Sequence, residues 1–350
     1  MTKSYVPLNV TGRITPARKS PVRMRNPHQP RVAMIVVNWN GKDDTIECLK
    51  SLRKITYRNH DIVVVDNGST DDSVKQLKKK HPEAAIIEAG ENLGPAEGKT
   101  VGIRYAMKKW NPKYVITLNN DVEVKPDFVD VFVRTMESHP EVSVAAPKIY
   151  YYYGDRKRIW SVGIKLTPKG FQSIGLDEID RGQYDKPVYV DALHCVMFMR
   201  SNVLKETKIM PRGRHWKPWA GQRVLDQYFD GRTFIMTEEP ELCMRMTRKK
   251  DYKCLYVPDA VIWHKVSRTT GKSQFGGRPA SLYYDRRNWL IAVRDNFGML
   301  AFVGATVIET ALFLFYRGIK FIVCRRLDLV RANALGIADG ILYRMHKWQG

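Results

Sequence analysis

The sequence predicts an α/β fold: a Rossmann-like, mixed and mostly parallel sheet flanked by helices, followed by C-terminal amphipathic or membrane-associated helices. Three observations carry this. Short uninterrupted apolar runs recur at 32–37, 62–65, 85–88 and 114–118, as expected for strands buried on both faces. Stretches of helical period separate them, the spacing of β–α units. Polar residues close the runs at Asn38, Asp66 and Asp121, and ligands of such sheets sit beyond the carboxyl ends of the strands.

The elements follow in order. Residues 1–30 are rich in Arg, Lys, Pro, Thr and Asn, and Lys3, Arg13, Arg18, Lys19, Arg23 and Arg25 meet no acid. They read as a basic, flexible N-terminal arm, either a solvated tail or a strap that contacts phosphate or membrane. Strand 32–37 precedes a helix from Asp43 to about Lys54, strand 62–65 a helix over 72–80, and strand 85–88 a helix over 97–109. Strand 114–118 precedes a helix over 128–138, which Pro126 helps to start. Further strands are expected at 142–147, 189–199 and 254–257, with a helix over 241–249. Residues 150–187 read as irregular strands and loops. The basic stretch 205–233, with His215, Trp216 and Trp219, reads as a lid beside a site or a surface insertion.

Beyond residue 298 the character changes. Residues 299–316 are apolar except for Glu309, and 319–324 continue the theme among Arg317, Lys320, Arg325, Arg326, Arg331, Arg344 and Lys347. A spanning helix needs about twenty apolar residues, and an acid near mid-span is costly. A shallowly inserted helix with a basic collar for anionic headgroups is expected; the alternative is a core helix of a dimer or domain.

A chain of 350 residues with 44% hydrophobic and 11% aromatic residues can bury a sizeable core. The formal net charge of +22 implies an anionic partner. Nucleic acid is set aside, because much of the charge flanks the apolar C-terminus instead of forming a stripe with exposed aromatics. The five cysteines form no CxxC pair and read as reduced, mostly buried thiols, which excludes a disulfide framework and a zinc cluster. The polar N-terminus carries no apolar signal, so secretion is not expected.

Candidate chemistry lies at the strand ends. Asp121, closing Asn119-Asn120-Asp121, offers a hard carboxylate oxygen to Mg²⁺ or Mn²⁺; a plain polar turn is the alternative, and Glu123 ranks second as ligand. His264, after an apolar run, can complete a divalent site or be an ordinary polar residue. Lys265, Arg268 and Lys272 follow it and suit a departing diphosphate. Glu238 and Glu239 stand before a helix. Glu239 is the better candidate base, and Glu241 reads as a helix-start charge. Asp66 either contacts a base or ribose hydroxyl or belongs to a helix cap with Ser69 or Asp71. A metal ligand, a base and a second ligand in this order suggest group transfer from a metal-bound phosphate ester. The loop 91–99 is one residue short of a P-loop, and no G-x-G-x-x-G follows the first strand, so triphosphatase and dinucleotide readings fall.

Six stretches, VAMIVVNWNGKDDTIECLKSL (32–52), IVVVDNGSTDDS (62–73), ENLGPAEGKTVGI (91–103), YVITLNNDVEVKPDF (114–128), EEPELCMRM (238–246) and YVPDAVIWHKVSRT (256–269), together resemble the inverting family 2 glycosyltransferases of GT-A fold. The branch is the rhamnosyltransferase-like, cell-surface polysaccharide one. The resemblance covers about 30–335. It implies a catalytic domain over 31–297, with a nucleotide-sugar half to 128 and an acceptor half from 129, and a membrane-associating region over 298–350. It implies that Val37, Asn38 and Asp66 line the nucleoside pocket, with Asn92, Gly98, Asn120, Lys265 and Arg268 also at the donor. Asp121 would be the metal ligand, aided by His264. Glu239, after Glu238, takes the place of the aspartate of a Glu-Asp pair. Two departures bear on the sugar: Glu97-Gly98 replaces the usual Gly-Gly, and His194 replaces a glycine.

The expected activity is metal-dependent, inverting transfer of a sugar from a nucleoside-diphosphate sugar to a hydroxyl of a lipid-linked saccharide or growing surface glycan. It would take place at the cytoplasmic face of the membrane, against an anionic membrane surface, with a homodimer possible. The rivals are a polyprenyl-phosphate sugar synthase and a catalytically inactive scaffold.

Overall fold

The computed structural model describes residues 13–17, 26, 28–209, 227–266, 277–344 and 348. Arg268, Lys272, His215, Trp216 and Trp219 lie outside the described residues, as does most of the N-terminal arm.

The first half alternates as expected. β1 (Ile14–Thr15) is followed by β2 (Val32–Asn38), α1 (Lys42–Leu52), β3 (His60–Asp66), α2 (Ser73–Lys80), β4 (Ala84–Glu88), α3 (Gly94–Trp110) and β5 (Tyr114–Asn119). β2 pairs in parallel with β3 and β5, and β3 with β4. Within the arm, read from the sequence as a solvated tail or a strap, Ile14 and Thr15 pair antiparallel with β4 and cover that edge. α3 starts three residues earlier than expected, because Pro95 at its first turn is compatible with helix.

The second half continues with β6 (Val122–Val124), α4 (Phe128–Ser138), β7 (Val142–Tyr151), β8 (Ile159–Ser161), β9 (Ile164–Thr167), β10 (Gly170–Ser173), β11 (Val188–Val190), β12 (Val196–Arg200), α5 (Ser201–Glu206), α6 (Glu238–Lys250) and β13 (Lys253–His264). The main sheet runs β1-β4-β3-β2-β5-β12-β7-β13-β11, with β12 antiparallel to both neighbours. Three expectations are corrected here. The strand expected over 189–199 is two strands, because 191–195 form a turn with Cys195 at φ 69°. The strand expected at 254–257 runs on to His264, its register shifting between Val257 and Val261 where Pro258 interrupts pairing. The acids Glu238 and Glu239 do not precede α6 but form its first turn, where carboxylates face the positive end of the helix dipole.

The sheet separates two apolar layers by the two-residue alternation of its strands. Met34, Val36, Val64 and Ile116 pack with Ile46 and Leu49 of α1 and Phe128 and Phe132 of α4. Ala33, Ile35, Val63 and Val115 pack with Val101 and Ile103 of α3 and Leu242 and Met246 of α6. A Cβ at Gly102 would lie 2.3 Å from the Ile35 side chain, so α3 approaches the sheet closely.

α7 (Gly277–Leu312) is broken at Gly298, whose φ of 84° reverses the chain. Residues 299–312 fold back on 277–297. Phe302 and Ala305 pack on Trp289, Leu290 and Val293, and Arg286 donates to Glu309 at 3.0 Å. A π-turn at Phe313–Arg317, α8 (Gly318–Val323) and α9 (Leu327–Ile341) complete the layer. α9 returns to the start of α7, where Ala332 packs on Tyr283 and the Tyr283 hydroxyl donates to Asp339 at 2.8 Å. Four of the cysteines are buried and all five are free thiols.

Candidate active site

A cleft of about 450 Å³ opens at the carboxyl ends of β2 and β5. Of the residues singled out in the sequence, Val37, Asn92, Asn120, Asp121, Glu238, Glu239 and His264 line it, and Asn38, Asp66, Gly98 and Lys265 do not. Sequence reasoning missed Trp39, Asn67, Lys99 and Trp160, which also line it.

The residues behind the wall brace it. Asn38 is buried, donates to Asp66 Oδ2 at 2.7 Å and accepts from the Thr45 hydroxyl at 2.7 Å. Asp66 accepts from the Ser69 N–H at 2.9 Å and the Ser69 hydroxyl at 2.6 Å, so its carboxylate shapes the turn after β3. Asp72 is the N-cap of α2, and Asp71 before it accepts from the Ser73 N–H at 3.0 Å. Asn120 donates to the Thr45 hydroxyl at 2.9 Å. A Cβ on Gly98 would stand 3.0 Å from both Asn67 Oδ1 and Val37 Cγ1, so the glycine provides clearance for the wall. Asn67 donates to the Gly94 carbonyl at 2.9 Å, while its Oδ1 is buried with no partner among the described residues, an acceptor left for a ligand.

At the far wall, Asp121 Oδ1 and His264 Nε2 lie 3.1 Å apart, both side chains buried. Among the described residues no group of three or more His, Cys, Asp or Glu is arranged around a metal ion. The pair nevertheless fits a divalent cation: an oxygen and a nitrogen ligand at right angles, each about 2.1 Å from a cation, are about 3 Å apart. Substrate oxygens and water would fill the remaining positions. His264 Nδ1 is buried without a partner among the described residues. Glu123 instead pairs with Arg156 at 2.7 Å on the outside. Lys265, expected at a diphosphate, is held by Asp44 at 2.7 Å and by Glu47, because β13 ends over the acidic first turn of α1.

In the same cleft, Lys99 of α3 donates to Glu239 Oε1 at 2.5 Å and to Glu238 Oε1 at 3.0 Å. The second Glu239 oxygen accepts the Cys195 N–H at 2.9 Å. Burial opposes ionisation of Glu239, yet Lys99 and the Cys195 N–H hold its carboxyl below the ordinary range. Burial dominates at Glu238, and the neighbouring Glu239 adds to it against Lys99, so its carboxyl is raised. Burial lowers the His194 imidazole to about 4, which keeps it neutral. His194 stacks on Trp160 with ring centres 4.4 Å apart and contacts the Ser161 hydroxyl at 2.7 Å. His194 and Trp160 together form an aromatic wall of the cleft.

The loop that launches α6 is strained: Phe234, Met236 and Thr237 have φ of 59°, 65° and 67°. α7 holds it. Asn288, fully buried, donates to the carbonyls of Thr233 at 2.8 Å, Ile235 at 2.8 Å and Met236 at 3.1 Å. Arg287, also fully buried, donates to the Arg232 carbonyl at 2.9 Å.

The sequence pattern of Glycosyl transferase family 2 matches residues 33–206, the segment that builds the main sheet apart from β1 and β13 and supplies most of the residues of this cleft. The chain belongs to that family. This glycosyltransferase is 27% identical over 276 residues, 76% of each chain, to the low-salt glycan biosynthesis hexosyltransferase Agl10 of Haloferax volcanii. It is 24% identical over 260 residues, 68% of this chain and 77% of the other, to the N-acetylglucosaminyl-diphospho-decaprenol L-rhamnosyltransferase of Mycobacterium tuberculosis. The fold of the transferase is shared with S. aureus TarS 1-349 in complex with UDP-GlcNAc, at a TM-score of 0.57 and 14% identity over 89% of this chain and 80% of the other. It is also shared with the mannosyltransferase PcManGT of Pyrobaculum calidifontis in complex with GDP-Man and Mn²⁺, at a TM-score of 0.51 and 13% identity over 93% and 91%.

Proposed function

We propose that the transferase moves a sugar, with inversion, from a nucleoside-diphosphate sugar to a hydroxyl of a lipid-linked saccharide. What supports this is that Asp121 and His264 line the same cleft as the buried Glu239, whose carboxyl Lys99 and the Cys195 N–H hold below the ordinary range. Val37, Asn67, Asn92 and Asn120 would receive the nucleoside side of the donor. A divalent cation, Mg²⁺ or Mn²⁺, held by Asp121 and His264 would neutralise the diphosphate as it leaves. Glu239 takes the proton of the acceptor hydroxyl as its oxygen attacks the anomeric carbon from the side opposite the diphosphate. A single displacement of that kind inverts the centre. The names of the Mycobacterium relative and of PcManGT support the acceptor class, the donor class and the metal.

The C-terminal layer supports action at a membrane surface. The segment Pro279–Val323 contains a stretch apolar and long enough to cross a membrane, but its first part is packed on the catalytic domain and the second is folded back on it. Leu300, Val303, Val307, Phe315, Ile319 and Val323 face outward, 50–88% exposed. Glu309 faces inward, fully buried between Arg286 and Arg317. Exposed Lys320, Arg325 and Arg331 flank this apolar face. The helix therefore lies on anionic lipid, its face inserted into one leaflet.

One experiment tests both parts. The full chain is assayed with UDP-, GDP- and dTDP-sugars, with Mg²⁺ or Mn²⁺, and a polyprenyl-diphosphate saccharide in vesicles with and without anionic lipid. Product of inverted configuration, and flotation with anionic vesicles only, are expected. Transfer to free polyprenyl phosphate alone would favour the phosphate-acceptor reading, and no turnover of any donor would favour the inactive scaffold.

A further inference from the structure

Glu238 and Glu239 are adjacent acids in one buried pocket, and only one can serve as base. We infer that Lys99 makes that choice: its ammonium, together with the Cys195 N–H, occupies both oxygens of Glu239 and positions it as the carboxylate, leaving the pair's proton on Glu238. This rests on the transfer reading above and adds a positioning residue to it.

The geometry is asymmetric. Lys99 is 2% exposed, and its ammonium also lies 5.2 Å from the centre of the Phe229 ring, which fixes the side chain. Glu239 receives the contact of 2.5 Å from Lys99 and a second N–H at 2.9 Å, whereas Glu238 receives the longer contact of 3.0 Å. Two carboxylates and one ammonium, all buried, would carry a net negative charge if fully ionised. Retaining one proton makes the cluster neutral. The charge then settles on the acid with the shorter contact to the ammonium. The other titratable groups acting on Glu239 agree with this. Burial keeps His194 neutral and raises the Cys195 thiol well above its ordinary range. Burial alone would discharge Lys99, but Glu239 and Glu238 raise it above an ordinary lysine, so it remains the cation.

In the transfer step the acceptor oxygen bonds to the anomeric carbon. The bond from that carbon to the diphosphate oxygen breaks, its electron pair leaving with the diphosphate, and the hydroxyl proton passes to Glu239. Lys99 neither gives nor takes a proton.

The test compares wild type, Lys99→Met and Lys99→Arg as full chains, with the donor that wild type turns over in the sugar-nucleotide panel with Mn²⁺. Lys99→Met should move the acidic limb of the kcat profile upward by about one pH unit or more, a tenfold loss on that limb that recovers at alkaline pH. The donor KM should change by less than about threefold, and Lys99→Arg should restore most of the limb. An unmoved limb in Lys99→Met, or an equal loss at every pH, overturns the inference. Wild type inactive on every donor would sink the transfer reading instead. Thermal unfolding then decides the role of Lys99. Without the ammonium both acids favour their protonated forms in the fold, so Lys99→Met should lose melting temperature relative to wild type as pH rises through the carboxyl range. A melting difference that is constant with pH overturns it.

Discussion

Val37, Asn67 and Asn120 stand at or just beyond the ends of neighbouring parallel strands, and each is braced by a residue of the adjacent β–α unit. Glu238 and Glu239 stand on a helix launched from three residues of positive φ, and their partners are Lys99 on α3, Cys195 before β12 and, through the loop, Asn288 on α7. One wall of the cleft is therefore held by local sheet geometry. The other is held by donors brought from three distant parts of the chain, the side chains of Lys99 and Asn288 and the backbone N–H of Cys195. Changes on the first wall should alter donor binding, and changes on the second should alter turnover.

The largest effect should come from Glu239→Gln. The amide cannot take the acceptor proton, so kcat should fall by about 10³ with the donor KM nearly constant. Glu238→Gln should cost distinctly less, because that carboxyl is raised by burial and by its charged neighbour. Steady-state kinetics on both variants, with bound nucleotide as the folding control, separates them. Equal losses would place the base on either acid and erase the asymmetry of this wall.

Asn288→Ala comes next. It strips the carbonyls of Thr233, Ile235 and Met236 of one shared donor, at a cost of about 1–3 kcal/mol in the fold. As the loop relaxes, the acids shift, and a displacement of about 1 Å is enough to lower kcat roughly a hundredfold. Calorimetry and kcat should fall together while donor affinity holds. If affinity falls and kcat holds, α7 braces the donor wall and the division between the walls is wrong.

How much of this was legible differs between the walls for the same reason. The apolar runs ending at Asn38 and Asp121 could be read because strand periodicity and the residue at a strand end are local properties. Asp66 was placed at the right turn but with its role open, since ligand contact and turn bracing use the same residue types. The sequence places the acids of α6 just before a helix that begins at Glu241, whereas the structure begins it three residues earlier, at Glu238. Lys99 meets acids 139 and 140 positions away, and Asn288 meets a loop more than fifty positions earlier. No local pattern announces such pairs. A signal for Lys99 was nonetheless present: it shares a helix face with Ala96, Ile103 and Ala106, a charge inside a buried stripe. Glu309 inside its apolar run is the same kind of signal, a buried charge whose partners, Arg286 and Arg317, come from other parts of the layer.

On the donor wall, Gly98→Ala should act through KM. The added methyl meets Asn67 and Val37 at 3.0 Å, and overpacking of this kind costs about 1–3 kcal/mol. Because Asn67 and Val37 line the cleft, the strain should appear as a donor KM raised about tenfold, with kcat little changed. A fall in kcat alone would show that α3 transmits strain to Lys99, one residue on, and that the walls are not independent.

The smallest effect tests the aromatic side of the acceptor wall by pH. Burial lowers His194 from 6.5 to about 4, so the unfolded chain binds a proton before the folded one does. A depressed histidine contributes stability that is fully present above pH 6.5 and is lost as the pH falls from there toward about 4. By about pH 5.5 the loss should reach about 1 kcal/mol. His194→Gln removes the titration, so the melting temperature of wild type should fall relative to that variant on acidification across this window. Parallel curves would mean that the imidazole is solvated. The stack on Trp160 would then be open to water, and this wall would be looser than the distances of its atoms imply.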